Sequence, residues 1–335
     1  GESTNEGGKR PLLLKFNAEA YYLAGLLVGE NKIRCGVTNL DGKILIEKNI
    51  DSHFDKGTED VIARVIKLLK DTMQSANKSN KFLGIGIGLP GIIDFNEGRV
   101  KVLTRHPEWK NIPLRGILQK EFNIPIVIDH EGNVRAVGEK WFGFGREVNN
   151  FINIMTTSHG IGAGVVINGE IMRGHNNLCG ELGHIVSANA QEKSNLENLL
   201  SESSINKMIG GLAKEGYFEN SMLLKKIDNS EYIKLEDLFI SYNNDDGCAK
   251  IVLDKISDYF SVMIISTVCT IDADLIIIHG KFSILKDKFF ETVAEKVHGR
   301  IFPAMDKEIN IKRSIKSKQM GIIGSASMVL DVVPI

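Results

Sequence analysis

No CxxC pair occurs in this sequence, and its four cysteines, Cys35, Cys179, Cys248 and Cys269, are scattered. That spacing excludes a disulfide framework and fits a reducing cytoplasm. Proline is scarce, seven in 335 residues; together with 33 glycines this excludes collagenous and broadly disordered chains. Neither sign of charge is in excess, since 41 basic and 42 acidic side chains leave a net charge of -1. Nucleic-acid grooves are strongly basic, so any contact with DNA is expected from residues outside these. Long apolar runs are missing too. The most apolar stretch, residues 260–271, is about half of what a bilayer span needs, and Asp272 and Asp274 close it. The opening GESTNEGGKR has no apolar core and does not read as a signal peptide. These absences predict a soluble cytoplasmic protein.

What is present is an ordinary globular composition, 43% apolar and 25% charged, long enough for two compact lobes. Residues 1–10 read as a linker. From 21 to 48 two β-type runs, LAGLLVG and KIRCGVTNL, precede an Asp41-Gly42 turn and a third run, KILIEK. Residues 151–173 repeat the pattern, with FINIMTT, a glycine turn, GVVI, Asn168-Gly169 and EIMRG. Two such units about 130 residues apart suggest a duplicated architecture, with chance similarity of two β-meanders as the alternative. Residues 59–76 carry apolar side chains at helical spacing. FLGIGIGLPG reads as a buried strand, PLRGILQKEF as a helix, IPIVID as a strand and 133–142 as a helix. Further on, 196–214 and 249–270 read as helices and ADLIIIHG as a strand. After these come a helix over 285–298, the strand EINIKRSI and a closing helix over 321–330. The alternation predicts an α/β fold with mainly parallel strands and a meander in each lobe. Residues 215–247, polar and rich in Asn and Asp, read as an excursion.

Three polar groups could carry chemistry. Glu181 and His184 lie in the glycine-flanked GELGH; His130 and Glu131 follow Asp129 at a strand's C-terminal end, where α/β sheets bind ligands. Glu197 opens a helix. Carboxylates and imidazoles converging from strand ends suit a polyol, whose neighbouring hydroxyls need acceptors placed in pairs. Each has a plainer reading. Glu197 lies three residues after Ser194, as in a capping box. Glu181 and His184 could serve their own turn, and Glu131 could be a solvated carboxylate at a helix start.

The stretch GIGAGVVINGEIMRGHNNLCGELGH (160–184), with GIGIGLPGIID (84–94) and HEGNVRAVGE (130–139), resembles the ROK family of repressors, open reading frames and sugar kinases. The resemblance runs from about residue 11 to 326. It implies the two-lobed actin-like, hexokinase-like (ribonuclease H-like) ATPase fold. The linker and the residues after it are similar to the segment that joins a winged helix-turn-helix to the sugar lobe in ROK repressors, which implies a DNA-binding domain upstream of this chain.

Departures from the family pattern bear on activity. Where its kinases have an aspartate and a Gly-Gly-Thr turn for magnesium and phosphate, this chain has Gly25-Leu26-Leu27-Val28-Gly29-Glu30-Asn31. A leucine cannot act on a hydrated magnesium ion, and a carboxylate beside phosphates adds repulsion. The second phosphate turn, Gly-Thr-Gly in the family, reads Ser158-His159-Gly160. Glu131 stands at the position of the kinases' catalytic aspartate and His130 at that of a sugar-binding asparagine. One extra methylene moves a carboxylate on the order of 1 Å, which can cost about 100-fold in a positioned reaction. The family's cysteine-rich zinc segment is shortened here over 185–197 and holds no cysteine, so no metal is expected.

The expectation is therefore a first lobe of 11–130 plus 318–335 and a second of 131–317, with a monosaccharide between them. The resemblance assigns sugar contacts to Gly91, His130, Glu131, Glu181, His184 and Glu197. It implies the effector domain of a homodimeric ROK repressor, nearest the xylose-type regulators, with no cofactor and no kinase activity. An ATP-dependent sugar kinase is the alternative.

Overall fold

The computed structural model describes residues 15–78, 81–103, 105–157, 160–186, 194–216, 218, 220–301 and 309–333. The chain opens on an antiparallel meander, β1 (Tyr22–Val28), β2 (Lys32–Asn39) and β3 (Ile44–Asp51). Helix α1 (Thr58–Ser75) then crosses to β4 (Phe82–Leu89), parallel to β1. Next come three short strands, β5 (Ile92–Asp94), β6 (Arg99–Leu103) and β7 (His106–Ile112), forming a separate antiparallel sheet. Helix α2 (Leu114–Gln119) leads to β8 (Ile126–His130), parallel to β4, and α3 (Glu131–Phe142) follows at once.

The second half repeats this plan. Its meander is β9 (Phe151–Thr156), β10 (Ile161–Ile167) and β11 (Glu170–Met172). A helical layer follows, consisting of α4 (Leu196–Leu199), α5 (Glu202–Lys214), α6 (Met222–Asp228), α7 (Leu235–Asn243) and α8 (Gly247–Ile271). The chain then runs through β12 (Leu275–Gly280), α9 (Asp287–His298), β13 (Asn310–Arg313) and α10 (Ser317–Ser327). The strand orders β3-β2-β1-β4-β8 and β11-β10-β9-β12-β13 are the same, and so are the strand directions. The duplication read from the two meanders is thus present in the sheets. Each sheet is mixed, two of its four pairings being parallel, where mainly parallel strands were expected.

The sequence explains the packing. In β4, Ile85, Ile87 and Leu89 point to one face and join Val61, Val65 and Leu69 of α1 in the core. The alternate residues are glycines, and they face α10: a Cβ on Gly86 would lie 1.6 Å from the Ser325 carbonyl oxygen. Helix α10 can therefore lie directly on the first sheet. The two closing helices also meet at glycine, where a Cβ on Gly324 would be 1.9 Å from the Val134 carbonyl oxygen. Helix α3 packs in turn on β10, so the α3–α10 pair joins the two lobes.

Three expectations need correction. The excursion over 215–247 holds α6 and α7, whose Leu223, Leu224, Leu235, Leu238 and Phe239 are buried in the second core. Its polar residues are the outer faces of short amphipathic helices. The helix expected over 196–214 is two, because Ser201 caps α5 by accepting from the Ser204 amide. The sheet β5–β7 was not foreseen at all. The linker, 1–10, lies outside the described residues.

Candidate functional site

The first half contributes the end of β8 and the turn after β4. Leu89 pairs with His130, which brings Gly91 beside the start of α3. Gly91 has φ +80, and a Cβ there would be 2.3 Å from the Val102 carbonyl oxygen. Glycine is demanded by the small sheet itself, before any ligand is considered. His130 is the N-cap of α3, and its Nδ1 accepts from the Gly132 amide at 3.2 Å. A neutral ring accepting at Nδ1 carries its proton on Nε2, so His130 offers a donor.

The second half supplies the start of β10 and the segment after β11. A Cβ on Gly162 would lie 3.1 Å from His130 Cε1, so ring and strand are in near contact. Gly180, at φ +93, approaches Ala163 closely, and its carbonyl accepts the Ala163 amide at 3.0 Å. That contact seats the GELGH turn against β10. His184 Nε2 lies 3.9 Å from Glu181 Oε2, the imidazole exposed and the carboxylate half-buried. Glu197 Oε2 accepts the Ile161 amide at 3.0 Å. The cap of its helix is Asn195, which accepts from Asn198, so the Ser194 capping box is not formed. The first residues of β10 thus have His130, the GELGH turn and Glu197 around them. Of the second phosphate turn, Ser158 and His159 lie outside the described residues, as do 187–193 of the shortened segment.

Glu131 is engaged elsewhere. Its Oε1 accepts from Arg135 at 2.7 Å through Nη2 and 3.3 Å through Nε, with the two side chains 13% and 10% exposed. Arg135 Nη1 also donates to the Ser317 carbonyl at 2.6 Å, tying α3 to the start of α10. Leu27, 5% exposed, packs its two δ-methyls towards Gly88 of β4 and Gly321 of α10, and the Arg135 guanidinium borders that same glycine. Leu27 methyl groups and the Arg135 guanidinium thus meet at Gly321, and the same guanidinium holds Glu131. Glu30, in the following turn, is covered by the tip of the small sheet: His106 Nε2 lies 3.2 Å and Arg105 Nε 3.6 Å from Glu30 Oε1, and His106 stacks on Phe54.

Sequence reasoning missed Arg135. The signal was available, since it lies four residues after Glu131 on the same helix, the spacing of an ion pair. It also missed Arg173, which pairs with Asp129 across 44 residues and had no local signature. Among the described residues no set of three or more His, Cys, Asp and Glu side chains is placed to hold a metal ion. Nor is any described helix long and apolar enough to cross a membrane.

Two lobes of equal strand order, joined by paired helices and facing each other across these strand ends, define the actin-like, hexokinase-like ATPase fold. Residues 23–332 match the ROK family, and the chain belongs to it. It is 28% identical to a xylose repressor of Caldicellulosiruptor bescii, over 99% of this chain and 84% of that protein. It is also 28% identical to a glucokinase of Thermotoga maritima, over 92% of this chain and 97% of that one. The structure of a ROK family transcriptional regulator, a homologue of the E. coli MLC protein, superposes with a TM-score of 0.81 at 24% identity, covering 94% of this chain and 79% of the other. The family relatives thus include both repressors and sugar kinases.

Proposed function

We propose that this chain is the effector-binding part of a ROK-type transcriptional repressor and that a monosaccharide binds between its lobes. The observation that carries the reading is the Glu131–Arg135 pair, with Leu27 meeting the same guanidinium at Gly321. Phosphoryl transfer depends on positioning and charge neutralisation. Here the carboxylate at the base position already accepts a guanidinium, and an isobutyl group stands where a cation would need oxygen ligands. Around the start of β10, by contrast, His130 offers a donor and the Glu181 and Glu197 carboxylates offer acceptors, and in this reading they take the sugar together with His184 and Gly91. Arg135 holds Glu131 through Oε1 alone, and a sugar contact from Glu131 would use Oε2. The xylose repressor relative supports a pentose as the first ligand to test.

The ligand would act by favouring one lobe angle, which in a homodimer sets the spacing of DNA-binding domains joined upstream. It can switch only as far as its affinities for the two arrangements differ. Calorimetry with D-xylose, D-glucose and their phosphates, with and without magnesium and ATP, tests this. The expected result is one saturable sugar and no melting shift from millimolar magnesium-ATP. Sugar-dependent ATP hydrolysis at about 1 per second or faster would instead establish the kinase. Glu181→Ala should abolish sugar binding with the fold intact, and unchanged affinity would remove Glu181 from the site.

A further inference from the structure

Asp129, next to last in β8, is 1% exposed. Its Oδ1 accepts the His130 amide at 2.7 Å and Asn133 Nδ2 at 2.9 Å. Its Oδ2 receives Arg173, with Nε at 2.9 Å and Nη2 at 2.8 Å. Arg173 follows β11, so it comes from the other sheet. The same guanidinium lies 3.5 Å from the centre of the Phe95 ring, just past β5. Phe95 is itself anchored to its own half: Arg115 of α2 donates to the Phe95 carbonyl at 2.6 Å and to that of Asn96 at 2.9 Å. Two residues before Arg173, Ile171 packs into the apolar cluster of Leu40, Val127 and Val329. A side chain from the second sheet thus fills a socket built by the first.

We propose that Arg173 is a positioning residue, a latch between the lobes that holds the cleft closed and fixes the backbone at His130 through Asp129. Parting the lobes along this seam would withdraw the guanidinium from a carboxylate that pairs with no other cation among the described residues, and from a ring it covers face-on. A buried carboxylate without a partner must be rehydrated before the open state is tolerable. Closed and open are therefore separated by a discrete exchange of partners, the kind of bistable element on which a ligand can act. The latch stands on its own geometry; its consequence for an effector rests on the function proposed above.

Hydrogen exchange on the ligand-free chain tests it, comparing wild type with Arg173→Gln and Arg173→Lys. Arg173→Gln should speed exchange about tenfold at amides 129–133 and at 92–96, on the far side of the seam. Arg173→Lys should restore protection at 129–133 but not at 92–96, because an ammonium reaches the carboxylate yet does not lie flat on the ring. Faster exchange confined to 170–174, or no change in either variant, would overturn the latch. Should Arg173→Gln fail to fold, Arg173→Lys and wild type between 0.1 and 1 M salt give the same two-sided comparison. If neither D-xylose nor D-glucose binds wild type, the effector reading fails, while the exchange pattern still decides the latch.

Discussion

Arg135→Met keeps the length of the side chain and removes its charge, and three things change. Glu131, 13% exposed, loses its guanidinium at 2.7 Å; the Ser317 carbonyl loses a donor at 2.6 Å; and Met155 Sδ loses a neighbour at 3.0 Å. Removing one partner of a buried pair costs about 3–5 kcal/mol. Two effects soften that figure here. Some water reaches Glu131, and its place in the first turn of α3 returns about 0.3–1 kcal/mol from the helix dipole. A net loss of about 3 kcal/mol is expected once the Ser317 bond, about 1 kcal/mol, is included. Glu131→Gln should cost about 1–2 kcal/mol, since Arg135 keeps Ser317. The double variant should be less destabilised than the sum of the two by about 1.5 kcal/mol or more. Urea denaturation of the four proteins gives the cycle. Additivity within about 0.5 kcal/mol would mean that Glu131 and Arg135 are not coupled, and the reading that rests on this pair would lose its support.

Gly324→Ala and Gly210→Ala should differ in sign: Gly210, inside α5, has nothing within 4 Å of a new Cβ, so alanine gains about 1 kcal/mol of helix propensity there. At Gly324 the Cβ meets backbone at 1.9 Å, the joining helices must part, and a melting scan should show a loss of several degrees; a gain would refute the packing account. Burial holds His279 below the usual imidazole range, though Glu139 Oε1, 2.9 Å away, pulls the other way. Its contribution to stability is therefore complete above about pH 6.5 and lost as pH falls, by up to about 1.4 kcal/mol per unit. His279→Gln should flatten that part of the stability curve, and an equal slope in both proteins would contradict it. Glu139, brought below the carboxylate range by His279, Ser314 and the Phe144 amide despite its burial, acts in the same direction below about pH 4.3. Burial pushes the Cys35 thiol up to about 12 and Cys248 to about 11, and raises Cys179. A disulfide reagent at pH 8 should thus find one fast thiol, the exposed Cys269, and Cys269→Ser should remove the fast phase.

What could be read in advance was whatever has a local period. The meanders announced themselves through alternation and glycine turns, and the Asn168-Gly169 pair takes positive φ at both residues, as a tight hairpin needs. The GIGIG of β4 was legible as a buried strand but not as a bed for α10, because the partner helix lies more than 200 residues away. The sheet β5–β7 escaped because its strands are three to seven residues long, and HPEWKNI shows little hydrophobic alternation. At the candidate site, residues with a motif around them could be picked out in advance, and the side chains that answer them, on the same helix or on another element, could not. Glu131 was visible and its captor Arg135 was passed over. Asp129 was visible, and Arg173 could be matched to it only by folding the chain.

The joint between the halves constrains what an effector must do. Where α3 meets α10 at Gly138 and Gly324 the backbones come close, and Val134 and Val137 of α3 share a buried cluster with Ala326 and Val329 beside that contact. Polar ties at the joint include Arg135 to Ser317 at the start of α10, and Lys140 with Trp141 to Asp331 beyond its end. The proposed latch adds to this at the cleft, where Arg173 meets Asp129 and Phe95. Moving a two-state equilibrium from 1:99 to 99:1 takes about 5.5 kcal/mol of differential affinity. A monosaccharide with four or five hydroxyls, at about 0.5–1.5 kcal/mol net for each hydrogen bond, can just supply that. A latch much stronger than a few kcal/mol would leave the lobes closed whatever the ligand did, and one much weaker would leave nothing to switch. The partly exposed guanidinium on a fully buried carboxylate is the arrangement expected to fall between those limits.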